Sequence, residues 1–317
     1  MHYRTLGRTG LRVSLLGLGS GGASRLGQAY DASLKDIRTL VRRALDAGVN
    51  LIDTAPSYAD SEALLGQALD GVPRDSYIIC TKFQPHARDG SLHPAHKVTE
   101  SLEASLKALR TDCIDLFYLH GVAPGVYESI RDRYLPELQA AQAAGKIRWI
   151  GVTERYQQDH AHAALCRAIQ DGQFDAVMVG LNLMSPAAVL SVLPAAQSAN
   201  IGVVVMCAVR SVLTKPDLMR EYLDRWERDG LLQPGLLPAE APLDWLLDSN
   251  APSVTDAAYK FAAAHPAVGS VLTGTGNLEH FEANLRAIEG APLPDEKVQR
   301  VLEVFGPVQR NVQPDGH

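Results

Sequence analysis

Short apolar segments alternate with amphipathic segments along almost the whole chain, and this alternation constrains the fold more than any other feature. Eight segments are predicted to be buried strands, because each is a short and nearly continuous apolar run. They are Leu15–Leu18, Asn50–Asp53, Tyr77–Cys80, Ile114–Leu119, Arg148–Val152, Ala176–Val179, Val203–Met206 and Ser270–Leu272. Strands that alternate with helices usually form a parallel sheet, so the pattern indicates an α/β protein.

The segments between these strands are predicted to be helices. In the first of them Ile37, Leu40, Val41 and Ala44 recur at intervals of three or four residues, which places them on one face of a helix. Eight strands alternating with helices over 317 residues indicate a (β/α)8 TIM barrel, with a doubly wound open sheet as the alternative. We expect residues 1–317 to form this single barrel domain.

Three segments extend the basic barrel. Tyr3–Val13 is predicted to be a short hairpin around Gly10 that plugs the amino-terminal face. Thr214–Ser253 is longer than a simple loop and helix require, and we expect it to contain a helix and to cover the substrate. Asp295–Phe305 is predicted to be an extra C-terminal helix.

The composition excludes several classes of partner. A net charge of -6 and a pI near 5.9 argue against a basic surface for nucleic acid or for a membrane. No apolar run approaches the roughly 18 residues of a transmembrane helix, and the first residues lack the apolar core of a secretory signal. The cysteines are widely spaced, as expected for reduced thiols. We therefore expect a cytoplasmic protein with no nucleic-acid or membrane partner, and leave its oligomeric state open.

Four polar residues fall at or just after the ends of predicted strands. Asp53 ends the second strand and Tyr58 follows it, while Lys82 and His120 follow the third and fourth strands. The carboxyl ends of barrel strands meet at one face, where the active sites of barrels lie. A lysine ammonium near a tyrosine would lower its pKa from about 10 by stabilising the phenolate. We therefore predict that Tyr58 moves a proton, that Asp53 and Lys82 tune it, and that His120 orients a substrate oxygen. The alternative is a purely structural ion pair between Asp53 and Lys82.

The chain resembles the aldo-keto reductases over its whole length. The residues that carry the resemblance are Gly48–Tyr58, Thr81 and Lys82, Leu119 and His120, Gly145–Val152, Leu272–Asn277 and Glu282–Asn284. The resemblance implies a barrel that binds NAD(P)(H) across its carboxyl-end rim. It also implies hydride transfer between the nicotinamide and a carbonyl or alcohol carbon, with the four candidate residues in the roles given above.

The resemblance assigns the loop and helix after the eighth strand to the adenosine half of the cofactor. The candidate binding residues there are Thr273, Gly274, Thr275, Gly276, Asn277, His280 and Asn284. Asn284 matches the residue that reads adenine, and the glycines and the helix start suit an anion. Members that prefer NADPH place arginine or lysine around this loop to meet the 2′-phosphate. This loop has neither, and the one nearby residue that could offer a fixed positive charge is Arg286. We therefore expect NADP or NAD as the cofactor, with NAD favoured by the missing charge.

The residues expected around the nicotinamide and the pyrophosphate also depart from the family pattern. They are Ser20, Gly21, Asp53, Thr153, Glu154, Met178, Cys207, Arg210 and Ser211. Thr153 and Glu154 stand where many members have serine and asparagine, and Met178 stands near where many have glutamine. Arg210 and Ser211 are expected to reach the pyrophosphate. These departures indicate a divergent branch of the family, near sugar dehydrogenases such as L-galactose dehydrogenase.

Two further motifs have simpler explanations. Gly17–Gly22 matches the dinucleotide pattern G-x-G-x-x-G, but no clear helix opens at its third glycine, as a Rossmann site requires. His86, His93 and His96 are predicted to be loop residues and not metal ligands, because no cysteine accompanies them.

The resemblance and the four candidate residues together lead us to expect a metal-free oxidoreductase that acts on an aldehyde, ketone or aldose. The alternative is a regulatory subunit of the same fold that binds nucleotide with little turnover.

Overall fold

Ten strands make up the sheets of the computed structural model, which describes residues 1–308. They are β1 Tyr3–Thr5, β2 Arg12–Ser14, β3 Leu16–Gly19, β4 Leu51–Asp53, β5 Ile78–Phe83, β6 Ile114–Val122, β7 Ile147–Glu154, β8 Ala176–Gly180, β9 Gly202–Met206 and β10 Val268–Thr273. Strands β3 to β10 are parallel neighbours in chain order, and β10 pairs with β3 to close a barrel. The predicted barrel is confirmed, and the open sheet is excluded.

Helices surround the barrel. They are α1 Leu34–Asp46, α2 Ser61–Ala68, α3 Lys97–Leu109, α4 Tyr127–Ala143, α5 Ala163–Asp171, α6 Val192–Ser198, α7 Pro216–Arg228, α8 Val254–Ala264, α9 Leu278–Glu289 and α10 Asp295–Phe305. The helix α7 lies in the long segment before α8, and α10 has the bounds predicted for the C-terminal helix. Within residues 1–308 no helix has the length and apolar character needed to cross a membrane. The last nine positions of the predicted single domain, 309–317, lie outside the described residues.

The amino-terminal hairpin closes one end of the barrel, as predicted. Strand β1 pairs antiparallel with β2, and Leu6 between them is fully buried. Two glycines make room for it: a Cβ on Gly202 would lie 2.6 Å from Leu6 Cγ, and one on Gly269 would lie 2.7 Å from Leu6 Cδ1. Leu6 therefore fills the amino-terminal end of the barrel, opposite the predicted site.

Alternate side chains of the barrel strands point inward, and this period places the predicted site. The buried inner set is Leu6, Val13, Leu51, Ile78, Cys80, Leu116, Tyr118, Ala176, Met178 and Val204. Asp53, Lys82 and His120 each lie two positions beyond a member of this set, so they face inward at the carboxyl end. Lys82 and His120 lie within β5 and β6, whereas the sequence placed them just after shorter strands.

Gly66, in the middle of α2, offers a test of the helix packing. A Cβ on Gly66 would lie 2.3 Å from the backbone oxygen of Ala108 in α3. We expect Gly66→Ala to lower the free energy of unfolding by about 1–3 kcal/mol through overpacking, although glycine to alanine normally stabilises a helix by about 1 kcal/mol. Urea denaturation measures the difference. Gly125→Ala is the control, because nothing lies within 4 Å of its Cβ position; a stabilised Gly66→Ala protein would contradict the packing.

Candidate active site

A cavity of about 1280 Å³ opens at the carboxyl end of the barrel. Asp53, Tyr58 and His120 line it together with most residues predicted to bind the cofactor. Those cofactor residues are Gly21, Thr153, Glu154, Met178, Cys207, Arg210, Ser211, Thr273, Gly274, Thr275, Gly276, Asn277, His280 and Asn284. The other two predicted residues, Lys82 and Ser20, are buried, with exposed fractions of 1% and 0%. The fold therefore brings residues from distant parts of the sequence to one cavity.

A buried ion pair lies under this cavity. Lys82 Nζ donates to both carboxylate oxygens of Asp53 at 2.7 Å and to the backbone oxygen of Thr54 at 2.7 Å. Burial would lower the pKa of Lys82, but the neighbouring Asp53 and Tyr58 outweigh it and raise that pKa. The ammonium has three N–H groups, and three oxygen acceptors surround it. Lys82 is therefore a fixed positive charge.

Tyr58 lies over this charge, in the loop between β4 and α2. Lys82 Nζ is 5.0 Å from the centroid of the Tyr58 ring. The ring also packs on the backbone of Gly21, where a Cβ would lie 2.7 Å from ring atoms Cε2 and Cζ. Glycine is therefore required at position 21 to let the phenol occupy this position. The sequence had assigned Gly21 to the nicotinamide, and its close contact with Tyr58 was missed.

The proton on Tyr58 is held more firmly than the sequence suggested. Burial raises the pKa of Tyr58, and the ammonium of Lys82 opposes this rise without cancelling it. The expected attraction between the two groups is present, but the expected acidic phenol is wrong because desolvation is the larger effect. At neutral pH the Tyr58 phenol is therefore protonated.

His120 lies beside Tyr58 at the end of β6. The two rings are 6.0 Å apart between centroids and nearly perpendicular, at 87°. Burial, and then the positive charge of Lys82, lower the pKa of His120 from 6.5 to about 3. The imidazole is therefore neutral at neutral pH and carries one N–H donor. Its Nδ1 is buried and has no hydrogen-bond partner within residues 1–308.

Several buried polar atoms in and beside the cavity indicate a polar ligand. Ser20 Oγ, His120 Nδ1, Arg210 Nε and Ser211 Oγ are buried without a partner among the described residues. Buried polar atoms are normally hydrogen-bonded, so these atoms have capacity left for a bound molecule. Met178, which is only 2% exposed, adds an apolar side chain to the wall of the cavity. This mixture of polar and apolar walls fits a nicotinamide dinucleotide.

The loop after β10 is built closely around its glycines. A Cβ on Gly276 would lie 2.2 Å from Gly27 Cα, so the two loops touch through their backbones. Asn277 caps α9, its Oδ1 accepting from His280 N at 3.0 Å. Asn284 Nδ2 donates to Thr273 Oγ1 at 2.8 Å, which fixes the amide in the cavity wall. The loop thus presents glycine backbone and a helix N-terminus to the cavity.

Thr153 and Glu154 occupy different environments although both border the cavity. Thr153 faces inward, and its Oγ1 accepts from Gly121 N at 2.7 Å. The carboxylate of Glu154 is turned away: Oε1 accepts from Gly180 N at 2.8 Å, and Oε2 lies 2.7 Å from His162 Nδ1. The side chains of Glu154 and His162 are both fully buried. The geometry therefore favours Thr153 over Glu154 as a group that contacts a ligand.

Charged residues are sparse in the cavity walls. Arg155 and Arg210 are the only lysine or arginine residues among the described residues that line it, and neither belongs to the loop after β10. Arg210 Nη1 lies 3.8 Å from Cys207 Sγ, and burial raises the pKa of the Cys207 thiol. Cys207 is therefore a thiol and not a thiolate. No group of three or more metal-binding side chains occurs in the part of the chain that the structure describes.

A smaller compartment beside His120 was not foreseen as a unit. It has a volume of about 370 Å³ and is lined by Pro56, Ser57, Phe83, Gln84, His93, Lys97, Glu100, Ser101 and His120. The sequence predicts His93 in a loop near the pocket mouth, and the structure places it in the wall of this compartment. These residues come from three separate segments without a common period. Only the tertiary structure brings them together.

The profile of the Aldo/keto reductase family matches residues 16–305, and the chain belongs to this family. The family consists of oxidoreductases that use a nicotinamide cofactor on small carbonyl substrates. L-galactose dehydrogenase of Arabidopsis thaliana is 29% identical over 325 aligned positions, which cover 100% of this chain and 98% of that protein. Aldo-keto reductase YhdN of Bacillus subtilis is 37% identical over 162 positions, 48% of this chain and 47% of that protein. The predicted family, with L-galactose dehydrogenase among the relatives, is confirmed.

Solved structures agree on the fold. An aldo-keto reductase from Bacillus halodurans in its holo form superposes with a TM-score of 0.73 at 22% identity, covering 99% of this chain and 98% of that one. An aldo-keto reductase from Klebsiella pneumoniae in complex with NADPH has a TM-score of 0.65 at 24% identity, with 100% of both chains covered. At these identities the likeness concerns the barrel and not the residues of the site.

The low pKa of His120 gives a testable pH dependence. The folded imidazole titrates at about 3 and the ordinary value is 6.5, so only the unfolded chain gains this proton between those limits. The contribution of His120 to the free energy of unfolding is therefore fully present above about pH 6.5 and is lost as the pH falls toward 3. We expect heteronuclear NMR to show a neutral His120 at about pH 5, with the signal assigned by its loss in His120→Gln.

The same variant serves as the control for stability. His120→Gln removes this titration, so its free energy of unfolding should fall less steeply than that of the parent as the pH drops below about 6.5. Carboxylates that titrate in the same range affect both proteins alike. Parallel stability curves, or an imidazolium signal from position 120 at about pH 5, would contradict a buried neutral imidazole.

Proposed function

We propose that this protein transfers a hydride between a nicotinamide cofactor and the carbonyl carbon of an aldehyde, ketone or aldose, or the corresponding alcohol carbon. The observation that carries the proposal is the Lys82–Asp53 pair buried under Tyr58, next to the neutral His120. A structural ion pair alone would not need a phenol at 5.0 Å from the ammonium or a cavity above it. The family membership supports the same reaction class.

The proposed roles follow from the geometry. The cofactor supplies the hydride when bound, and the protein supplies the proton and the polar surroundings. Tyr58 gives its proton to the substrate oxygen in reduction and takes it back in oxidation. The buried phenolate left behind is stabilised by the Lys82 ammonium, which Asp53 holds in place at 2.7 Å. His120, being neutral, donates its N–H to the same oxygen and orients the carbonyl.

We propose NAD(H) as the preferred cofactor. The 2′-phosphate of NADP(H) is a dianion that usually meets arginine or lysine, and the cavity wall at Asn277, His280 and Asn284 offers neither. Thr273 to Asn277 would hold the adenosine side, and Arg210 and Ser211 the pyrophosphate. The nicotinamide would be surrounded by Thr153, Met178 and the backbone at Ser20 and Gly21.

For the substrate, the whole-length similarity to L-galactose dehydrogenase supports an aldose.

Removal of the Tyr58 hydroxyl tests the proton transfer. We expect Tyr58→Phe to lower turnover by roughly 100-fold or more while nicotinamide cofactor binding, measured by fluorescence titration, stays nearly unchanged. Tyr77→Phe makes the same change at the amino-terminal end of β5, far from the cavity, and should keep full turnover. A Tyr58→Phe protein with near-normal turnover would remove the proposed role. A parent protein that binds cofactor but turns over no carbonyl or sugar would favour the regulatory alternative.

Parallel titrations with NAD(H) and NADP(H) test the cofactor preference. We expect NAD(H) to bind more tightly, because the 2′-phosphate lacks a cationic partner here. His280→Arg should then tighten NADP(H) binding by about 10-fold or more, the value of one charge-assisted hydrogen bond, with little effect on NAD(H). Markedly tighter NADP(H) binding by the parent protein would overturn the assignment.

A further inference from the structure

The compartment beside His120 has no role in the hydride transfer itself, and we propose that it binds the hydroxyl-bearing tail of a neutral, polyhydroxylated substrate. This inference rests on the proposed function, because it takes the reacting carbonyl to lie at Tyr58 and His120. His120 and Gln84 border both the large cavity and the smaller compartment. A substrate whose carbonyl is held by His120 therefore extends into this space without leaving the site.

One wall of the compartment is a hairpin, residues 84–93, that is held firmly from outside. Tyr134 Oη in α4 donates to the backbone oxygens of His93 at 2.6 Å and Pro85 at 3.2 Å. Arg133 Nη1 donates to the backbone oxygens of Leu92 at 3.3 Å and His93 at 3.2 Å. The hairpin is thus fixed to α4 at both of its ends. A fixed wall holds its side chains in place before a ligand arrives, which reduces the entropy lost on binding.

The lining has one apolar side and one polar side. Phe83 is buried and its ring is fixed by Tyr134, with centroids 5.1 Å apart, so it offers an apolar surface next to Pro56. Gln84 and His93 provide an amide and an imidazole on the hairpin side. A sugar has the same division, since its C–H groups pack on apolar surfaces and its hydroxyls both donate and accept hydrogen bonds.

The charges at the outer end of the compartment balance each other. Lys97 Nζ and Glu100 Oε2 are 2.6 Å apart in the first turn of α3, and both line the compartment. An anionic substrate would lie against the Glu100 carboxylate, with the Lys97 charge already paired. Hydroxyl groups can use the remaining N–H donors of Lys97 and the remaining lone pairs of Glu100. The walls therefore select for neutral polyols and against sugar acids and sugar phosphates.

The test compares substrates that differ in how far they reach. Glyceraldehyde fills the reacting position, whereas an aldohexose also fills the compartment. We expect Gln84→Leu and His93→Leu each to lower kcat/KM for aldohexoses by about 5-fold, the effect of one lost hydrogen bond, mainly through KM. Glyceraldehyde should change by less than about 2-fold. Ser91→Ala, at the tip of the same hairpin and bonded to Asp89 at 2.7 Å, is the matched control and should leave both substrates unchanged.

A charge reversal gives a second and independent readout. Glu100→Lys replaces the Lys97–Glu100 ion pair with two positive charges. The kcat/KM for a hexuronate should then rise relative to that for the neutral hexose by about 5-fold or more. Equilibrium binding of hexose to the Tyr58→Phe protein with cofactor separates binding from turnover. Equal losses for both substrates, or a parent protein that prefers the hexuronate, would overturn the inference. Absence of turnover with glyceraldehyde and all sugars would instead reject the proposed function.

Discussion

A lysine ammonium that has been removed from water governs the organisation of this barrel. Lys82 is 1% exposed, and such a charge is tolerated only when close partners replace its hydration. Asp53 and the backbone oxygen of Thr54 provide these partners from the neighbouring strand β4 and its end. The register of β4 against β5 must therefore be exact to one residue, because a slip would turn Asp53 or Lys82 toward the helices. Removing one member alone would leave the other charged and buried, at a cost of about 3–5 kcal/mol.

The residues above the pair respond to this charge in opposite ways. Tyr58 is buried strongly enough to keep its proton, yet the anion it leaves is stabilised by Lys82. His120 experiences the same ammonium as a repulsion, which adds to burial and keeps it neutral. One positive charge thus lies beside a protonated phenol and a neutral imidazole. Packing on Gly21 and a nearly perpendicular ring contact then set their orientation.

The sequence was sufficient for the fold and for much of the site because both depend on local periods. Apolar runs gave the eight strands, and the carboxyl ends of those strands placed Asp53, Lys82 and His120 at one face of the barrel. Three outcomes needed the folded chain. The net direction of the Tyr58 pKa depends on the depth of burial, which no motif records. The inward turn of Thr153 and the outward turn of Glu154 follow from the strand bounds. His93 lies in the wall of the smaller compartment because its backbone is held by Tyr134 and Arg133 of α4 and by Pro85.

The hairpin 84–93 is attached to α4 in a way that does not depend on the side chains of the hairpin. Tyr134 and Arg133 hydrogen-bond to the backbone oxygens of Pro85, Leu92 and His93. Every amino acid carries such an oxygen. The shape of the hairpin is thus largely independent of its own side chains. Substitutions at positions such as 84 or 93 change side chains and leave these backbone attachments in place. The lining of the smaller compartment can therefore be altered without touching Asp53, Tyr58, Lys82 or His120.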